Sequence, residues 1–257
     1  MNPALILMYH LVDTPRSAIE RRFCTTPDDF ARQMEYLGES GYTAVSMAHL
    51  YDCMQGKFPL PGKTVHITFD DGFGCVLEHA APILQRHGYP ATMFAVSDRL
   101  GSSNDWMTGR GFPERSILSV DGLRALENAG FAIGSHTRTH ARLPDISMVE
   151  ARNEVSGSKS RLEDALGKAI EYFAYPFGQF NEQVRDIVVG AGYHAACSTR
   201  CGFNRPGEDP YLLRRIDVFG TDRLWQFKQK LSFGINKTSR TYPIRYLARR
   251  AISRLGL

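Results

Sequence analysis

Thr64-Val-His-Ile-Thr-Phe-Asp-Asp-Gly72 is an alternating run that ends in two adjacent carboxylates and a glycine. Strands tolerate Asp poorly, so Asp70 and Asp71 mark the place where a strand gives way to a turn. Gly72 permits the positive φ that would let the two carboxylates converge on one site. Gly134-Ser-His-Thr-Arg-Thr-His140 also ends an apolar run. Histidines four apart share one face of a helical turn and can offer two imidazole nitrogens to one ion. Each segment alone has a bland reading: Asp-Asp-Gly is a common turn, and a histidine pair is more often a surface or hydrogen-bonded feature. On two strand ends of one sheet, however, two His and one Asp make a three-ligand site with a position left for water. Metal-assisted hydrolysis needs that arrangement.

The elements that must bring these segments together are legible as period and punctuation. The first 220 residues alternate short apolar or β-branched runs with helical patterns. Strands are expected at Ala4–Tyr9, Thr43–Ser46, Thr64–Phe69, Ala91–Val96, Phe131–Ser135, Glu171–Tyr175, His194–Ser198 and Leu212–Val218. Thr26 should cap a helix with Pro27 in its first turn and Phe30, Met34 and Leu37 on one face. Ser147 and Glu150 resemble a capping box opening a polar helix that runs to about Leu166. Strand–helix alternation of this kind requires right-handed crossovers and a mostly parallel sheet, open or closed as a barrel, with reactive groups at the carboxyl ends of the strands. No composition break precedes Asp222, so residues 1–222 read as one domain and residues 223–257 as a basic tail.

Composition excludes other classes. The chain has 257 residues, 43% hydrophobic and 23% charged, a globular composition at a length where a core needs no metal or disulfide to exist. Any metal is then chemical rather than structural. The five cysteines are scattered without a C-x-x-C pair and read as reduced thiols. The N-terminus has no basic residue before its short apolar run and no small-residue cleavage site, unlike a signal peptide, and no run is long enough to span a bilayer. A cytoplasmic location is the expectation. The net charge of +4 conceals an asymmetry. Nine basic and no acidic residues follow Asp222, while residues 1–222 hold 22 basic against 27 acidic ones. In the tail Ile244, Leu247, Ala248, Ala251, Ile252 and Leu255 fall at helical spacing away from Arg245, Arg249 and Arg250. Such a helix either packs on the barrel or lies on the inner face of an anionic membrane. No nucleic-acid partner is expected, because the rest of the chain is acidic and carries no reading motif.

Thr68-Phe-Asp-Asp-Gly72, His136-Thr-Arg-Thr-His140 and Tyr175-Pro-Phe-Gly178, in this order, resemble the first three motifs of the polysaccharide deacetylase family, also called the NodB-homology or carbohydrate esterase 4 family. The resemblance spans about residues 4–220. It implies an α/β fold, a distorted (β/α) barrel of about seven parallel strands, and removal of acetyl groups from sugars with a divalent metal, usually Zn²⁺, or Co²⁺ or Ni²⁺. Carried over by position, it assigns the metal to Asp71, His136 and His140 and the general base to Asp70. It makes Tyr175, Pro176, Phe177 and Gly178 substrate-binding, with the Phe177 N–H as oxyanion donor. Without the resemblance Tyr175–Gly178 reads as a plain turn. The division between the carboxylates has a chemical basis, since a ligated Asp71 loses basicity to the cation whereas Asp70 stays free to accept a proton.

The chain departs from the family pattern twice. The Arg that orients the base in the third motif is replaced by Ala174, and no Leu-x-His motif follows His194, the last histidine. Leu7-Met-Tyr-His10 resembles the opening of the subgroup that deacetylates poly-N-acetylglucosamine exopolysaccharides, which makes His10 the candidate general acid. Arg214 or Arg215 could replace the missing Arg by pairing with Asp70, and Asp217 is ambiguous. The other histidines read as structural. Loop 98–119, with Trp106, Arg110 and Phe112, is long enough to line a groove. The expected activity is N-deacetylation of an amino sugar in a surface polysaccharide or its precursor, including a lipid-linked glycan. The alternatives are a deformylase or cyclic-amide (allantoinase-like) hydrolase on the same scaffold, and a non-catalytic glycan-binding module.

Overall fold

The computed structural model describes residues 2–107 and 109–246. Ten strands occur in chain order: β1 (Ala4–Tyr9), β2 (Leu11–Val12), β3 (Cys24–Thr25), β4 (Thr43–Ala44), β5 (Thr64–Phe69), β6 (Ala91–Ala95), β7 (Phe131–Ser135), β8 (Tyr172–Ala174), β9 (Ala195–Cys197) and β10 (Ile216–Asp217). The helices are α1 (Pro27–Glu39), α2 (Met47–Met54), α3 (Ala81–His87), α4 (Val120–Asn128), α5 (Met148–Leu166), α6 (Glu182–Gly190) and α7 (Leu224–Phe233). Seven strands pair in parallel in the order β10-β1-β5-β6-β7-β8-β9, β4 pairs with the start of β5, and β2 and β3 form a separate parallel pair. All seven carboxyl ends therefore open on one face.

Side chains alternate along each strand, and the two sets serve different packings. Leu5, Leu7 and Tyr9, Val65, Ile67 and Phe69, Ala91, Met93 and Ala95, and Ile133 face the helices in the larger apolar cluster. Ala4, Ile6, Phe94, Tyr172, Ala174 and Cys197 fill the concave side together with buried His66 and Thr92. His66 donates from Nδ1 to the Val45 carbonyl (2.7 Å) and its Nε2 lies 2.9 Å from the Thr92 hydroxyl. Gly134 is required here, because a Cβ would come within 2.6 Å of the Phe94 ring and 2.9 Å of the Tyr172 carbonyl. By this parity His10, Asp70, His136 and Asp217 all emerge on the concave side at the carboxyl ends.

The last expected strand is shorter than its sequence suggests. Asp209 caps a 3₁₀ turn over Pro210–Leu212, after which Leu213 bridges Cys197 of β9 and only Ile216 and Asp217 pair with Leu7 and Met8 of β1. One segment thus steps from one sheet edge to the other and curls the sheet into a distorted half-barrel. Thr43–Ser46 is shortened too, since Ser46 turns to cap α2, accepting from the His49 N–H.

Helix starts follow the local chemistry. Thr26 accepts from the Asp29 N–H ahead of α1, with Pro27 at its first position, and Phe30, Met34 and Leu37 are buried. Ser147 and Glu150 form a reciprocal capping box at α5. Beyond Asp222, α7 buries Phe227 and Leu231 in the same apolar cluster as the strands, with Phe227 edge-on to Tyr36 of α1. Residues 242–246 are helical, with Ile244 exposed; the tail stripe from Leu247 onward lies outside the described residues. No described helix is long and apolar enough to cross a membrane.

Candidate active site

The Asp70 N–H donates to the Tyr9 carbonyl (3.0 Å), prolonging the β1–β5 ladder by one residue. The backbone then reverses through Asp71 (φ 77°) and Gly72 (φ 90°). The turn uses a strained non-glycine residue as well as the expected glycine. The next strand but one delivers the histidines, but not on a helical turn. Thr137 and His140 have φ of 68° and 63°, and the Thr137 hydroxyl accepts from the His140 N–H (3.0 Å). Glu154 of α5 accepts from the Arg138 and Thr139 N–H groups (2.9 and 3.0 Å) and from the Thr139 hydroxyl (2.8 Å). The helical expectation fails because this external carboxylate satisfies amides that a helix would pair internally. Glu154 is a positioning residue with no sequence signal, an ordinary acid on a polar helix.

Asp71, His136 and His140 converge, with ligand atoms all within 4.8 Å of one another. Asp71 Oδ1 lies 3.2 Å from His140 Nε2 and 3.6 Å from His136 Nε2. His136 Nδ1 donates to the Ala174 carbonyl (2.7 Å), which leaves the Nε2 lone pair facing Asp71. Among the described residues the buried Asp71 Oδ1 has no hydrogen-bond partner, a costly state unless something else occupies it. A carboxylate and two imidazoles suit Zn²⁺ or a similar divalent cation, and three protein ligands leave the site open. Burial pushes the His136 imidazole down to about 4 against the pull of Asp70, keeping it neutral as a ligand must be. Burial alone would raise the Asp71 carboxyl, but the imidazoles of His140, His10 and His136 hold it well below the usual carboxylate range.

Asp70 lies beside this triad, its Oδ2 4.0 Å from His136 Nε2. Fully buried Arg215 grips it with both arms, Nη1 to Oδ1 at 2.6 Å and Nη2 to Oδ2 at 2.8 Å, while Nε donates to the Ser198 carbonyl (3.0 Å). Burial opposes ionisation of Asp70; Arg215 and His136 outweigh it and lower its pKa. Arg214, of opposite parity, is exposed. The backbone of Ala174, where the family carries an Arg, serves His136 instead.

His10 is half-buried, edge-on to Phe23 (5.4 Å between ring centres). Asp217 stands on the neighbouring strand in register with Met8. Its Oδ2 accepts from Asn236 Nδ2 (2.7 Å), its buried Oδ1 has no partner among the described residues, and burial raises its pKa. These groups line a cavity of about 300 Å³ whose walls include Leu11, Phe23, Phe73, Met107, Phe112 and Phe219. Loop 98–119 supplies Asn104, Met107 and Phe112 to this cavity, and Trp106 stacks on His140 (5.3 Å, 23°).

The structure divides the third motif between the cavity and the core. Phe177 lines the cavity, in a left-handed conformation (φ 59°) and edge-on to His140 at 4.6 Å. Tyr175 is of outward parity and fully buried between Phe173 and Phe180, and its side chain does not line the cavity. Pro176 is buried, and Gly178 (φ 65°) admits Thr199 where any Cβ would collide. These three residues shape the turn that presents Phe177. Of the remaining histidines, His66 is a hydrogen-bonded interior group and His194 sits 3.6 Å from Glu171 on the surface.

A family model described as polysaccharide deacetylase matches residues 57–196. This chain belongs to the polysaccharide deacetylase family. The matched span contains Asp70, Asp71, His136 and His140, whereas His10 and Arg215 lie outside it. The chain is 26% identical over 214 residues to YxkH of Bacillus subtilis, covering 83% of this chain and 70% of that protein. It is 24% identical over 236 residues to the poly-beta-1,6-N-acetyl-D-glucosamine N-deacetylase of Staphylococcus aureus, covering 84% of this chain and 78% of that one. The structure of IcaB from Ammonifex degensii superposes with a TM-score of 0.77 over 91% of this chain and 97% of that one, at 24% identity. The deacetylase fold is therefore shared almost end to end.

Proposed function

We propose that this polysaccharide deacetylase family member is a divalent-metal-dependent hydrolase, with Zn²⁺ as the leading candidate, that removes N-acetyl groups from an amino sugar of a surface polysaccharide or its precursor. The observation that carries the reading is the adjacency of two differently committed carboxylates. Asp71 faces two imidazoles, and Asp70, one residue away, faces a buried guanidinium. The S. aureus relative's substrate, a β-1,6-linked N-acetylglucosamine polymer, supports the sugar class.

A divalent cation held by Asp71, His136 and His140 would polarise the acyl carbonyl and acidify a water. Asp70 accepts the proton of the attacking water. Arg215 keeps Asp70 ionised and fixes its plane, the task that an Arg in the third motif performs in the family pattern. The Phe177 N–H donates to the developing oxyanion. His10 gives a proton to the departing amine, since an amine leaves poorly without one. Asp217 acts as a positioning residue for His10, its unpartnered Oδ1 being the acceptor that stabilises the imidazolium.

The test is metal analysis of the purified full chain, paired with deacetylation of β-1,6-linked N-acetylglucosamine and chitin oligosaccharides. His136→Ala and His140→Ala should lose bound zinc. Asp70→Asn should keep zinc and lose roughly 10²-fold or more of turnover, and His10→Ala and Asp217→Asn should lower kcat with zinc retained. A chain unable to retain zinc, cobalt or nickel would refute the proposal. Zinc retained without deacetylation of any sugar would favour a binding module, and turnover confined to formamides or cyclic amides would move the reaction class.

A further inference from the structure

Two phenylalanines on the cavity wall each carry cations. The Phe177 ring has the Arg142 guanidinium 4.2 Å and the Arg110 guanidinium 5.3 Å from its centre. Phe219 has Arg22 at 4.3 Å and Lys230 at 4.4 Å, and Arg22 also reaches Phe23 at 5.7 Å. Lys230 is committed to Asp222 and the Asp217 carbonyl, but the three arginines are not. Among the described residues none of Arg22, Arg110 and Arg142 has a carboxylate within 4.0 Å, and the one side-chain hydrogen bond among them is Arg142 to Gln179 at 3.2 Å.

Most of the acids around the cavity are engaged elsewhere; Asp217, on the floor beside His10, makes no ion pair with any of the three. Glu20 and Asp13 are held by Arg115, Asp98 by Arg138, and Asp105 by Arg99. Deeper in the cavity, Asp70 is held by Arg215 and Asp71 faces the histidines. Arg22 lines the cavity and Arg110 and Arg142 lie on the Phe177 ring at its wall, so three guanidiniums are held on aromatic faces beside the site with their N–H edges left for a ligand. Arg22 and Arg110 are exposed and Arg142 half-buried. Planar forks of this kind match carboxylate and phosphate oxygens. They also cover aromatic faces on which a neutral sugar would otherwise stack. Residues 1–222 are acidic overall, so this cluster of cations is local rather than a reflection of net charge.

We infer that the substrate is an anionic glycan, with a carboxylate or phosphate close to the N-acetylated sugar, and that Arg22, Arg110 and Arg142 bind that charge. The inference rests on the deacetylase reading and narrows its substrate. The anion belongs either to a neighbouring uronic acid or to a phosphate on the amino sugar itself, and the experiment separates these sources.

Binding of three probes to the zinc-loaded full chain is measured by calorimetry, independently of turnover: a glucuronate–N-acetylglucosamine tetrasaccharide, chitotetraose, and UDP-N-acetylglucosamine. A cluster that binds anions should favour an anionic probe over chitotetraose by roughly tenfold, about two- to threefold for each exposed guanidinium–anion pair. The preference should shrink in 0.5 M salt and in the triple variant Arg22→Gln/Arg110→Gln/Arg142→Gln. Arg124→Gln on α4, which contacts only Asp121 and the Ala165 carbonyl, should keep it. A preference for the tetrasaccharide assigns a uronic acid and one for the nucleotide sugar a phosphate. Equal affinity for all three, no binding, or a preference that survives the triple variant overturns the inference. Deacetylation of the same probes is scored separately, so a chain that binds anionic sugars selectively without hydrolysing any would retain this inference and lose the activity.

Discussion

Removing the Arg215 guanidinium should expose what the buried pair with Asp70 contributes. Both partners are almost wholly inaccessible, and the guanidinium makes two short bonds to one carboxylate and a third to a backbone carbonyl. Arg215→Met keeps the stem and deletes the charge, leaving Asp70 ionised, buried and without its main partner. Breaking a buried pair from one side costs about 3–5 kcal/mol, a large share of the roughly 5–15 kcal/mol that holds a domain together. Deleting both charges in Asp70→Asn/Arg215→Met should recover about 2 kcal/mol or more of that loss. The assay is urea unfolding of the metal-stripped full chain. Its pH dependence supplies a second readout. In the wild type Asp70 has a lowered folded-state pKa, so the pair's contribution is present above the unfolded value of about 3.9 and is lost as pH falls through the folded one. Without Arg215 burial dominates and raises the folded pKa, so the variant's stability should fall as pH rises from about 5 to 7. A single-variant loss under about 1 kcal/mol, or a deficit equal at pH 5 and pH 7, would refute the assignment of Arg215 as the group that keeps Asp70 charged.

Two further outcomes test the barrel interior. Burial holds His66 neutral, with its pKa pushed down to about 4, so its contribution is present above the unfolded value near 6.5 and is lost as pH falls towards 4. The loss should reach roughly 3 kcal/mol, and His66→Gln should flatten that slope in urea midpoints between pH 4 and 7; an unchanged slope counts against the assignment. Gly134→Ala should cost about 2–3 kcal/mol, because its Cβ meets the Phe94 ring and the Tyr172 carbonyl. Gly190→Ala, in α6 with nothing within 4 Å, should gain about 0.4–1 kcal/mol. Thermal midpoints in which the two substitutions behave alike would contradict the close packing of β6 against β7.

The strands were legible where periodicity and burial agree. β1, β5 and β7 run over the residues that alternation predicts, because each is a central strand whose two faces are both buried. Legibility failed at β10, where the chain crosses between sheet edges over a few residues and no local pattern encodes the crossing. In the site, Asp70, Asp71, His136 and His140 stood out because polar residues at the ends of apolar runs are conspicuous. Arg215 could be nominated, since a charge on an interior strand needs a partner, but only the fold selects it over Arg214, by parity. The outward, buried side chain of Tyr175 could not be read from its motif, because motif membership does not say which face a side chain takes. Glu154 left no trace, since its partners are backbone amides of a loop remote in sequence.

The backbone records where this fold spends stability. Five described non-glycine residues have positive φ: Lys63, Asp71, Thr137, His140 and Phe177. Four of these lie at or beside the Asp71–His136–His140 cluster, and strain of this kind costs on the order of 1–3 kcal/mol per residue. Each is held by a bond from outside its own turn or within it. The Leu118 N–H binds the Gly72 carbonyl (2.8 Å) behind Asp71, Glu154 gathers the amides between His136 and His140, and the Gly178 N–H returns to the Tyr175 carbonyl (2.9 Å) around Phe177. Relaxed turns would swing Asp71 and His140 away from each other and leave the Asp71 oxygen to solvent. The strained ones keep it buried and unpartnered. That state is unfavourable in the free protein, and the divalent cation proposed above would relieve it, so the geometry that weakens the fold without the ion would favour binding it.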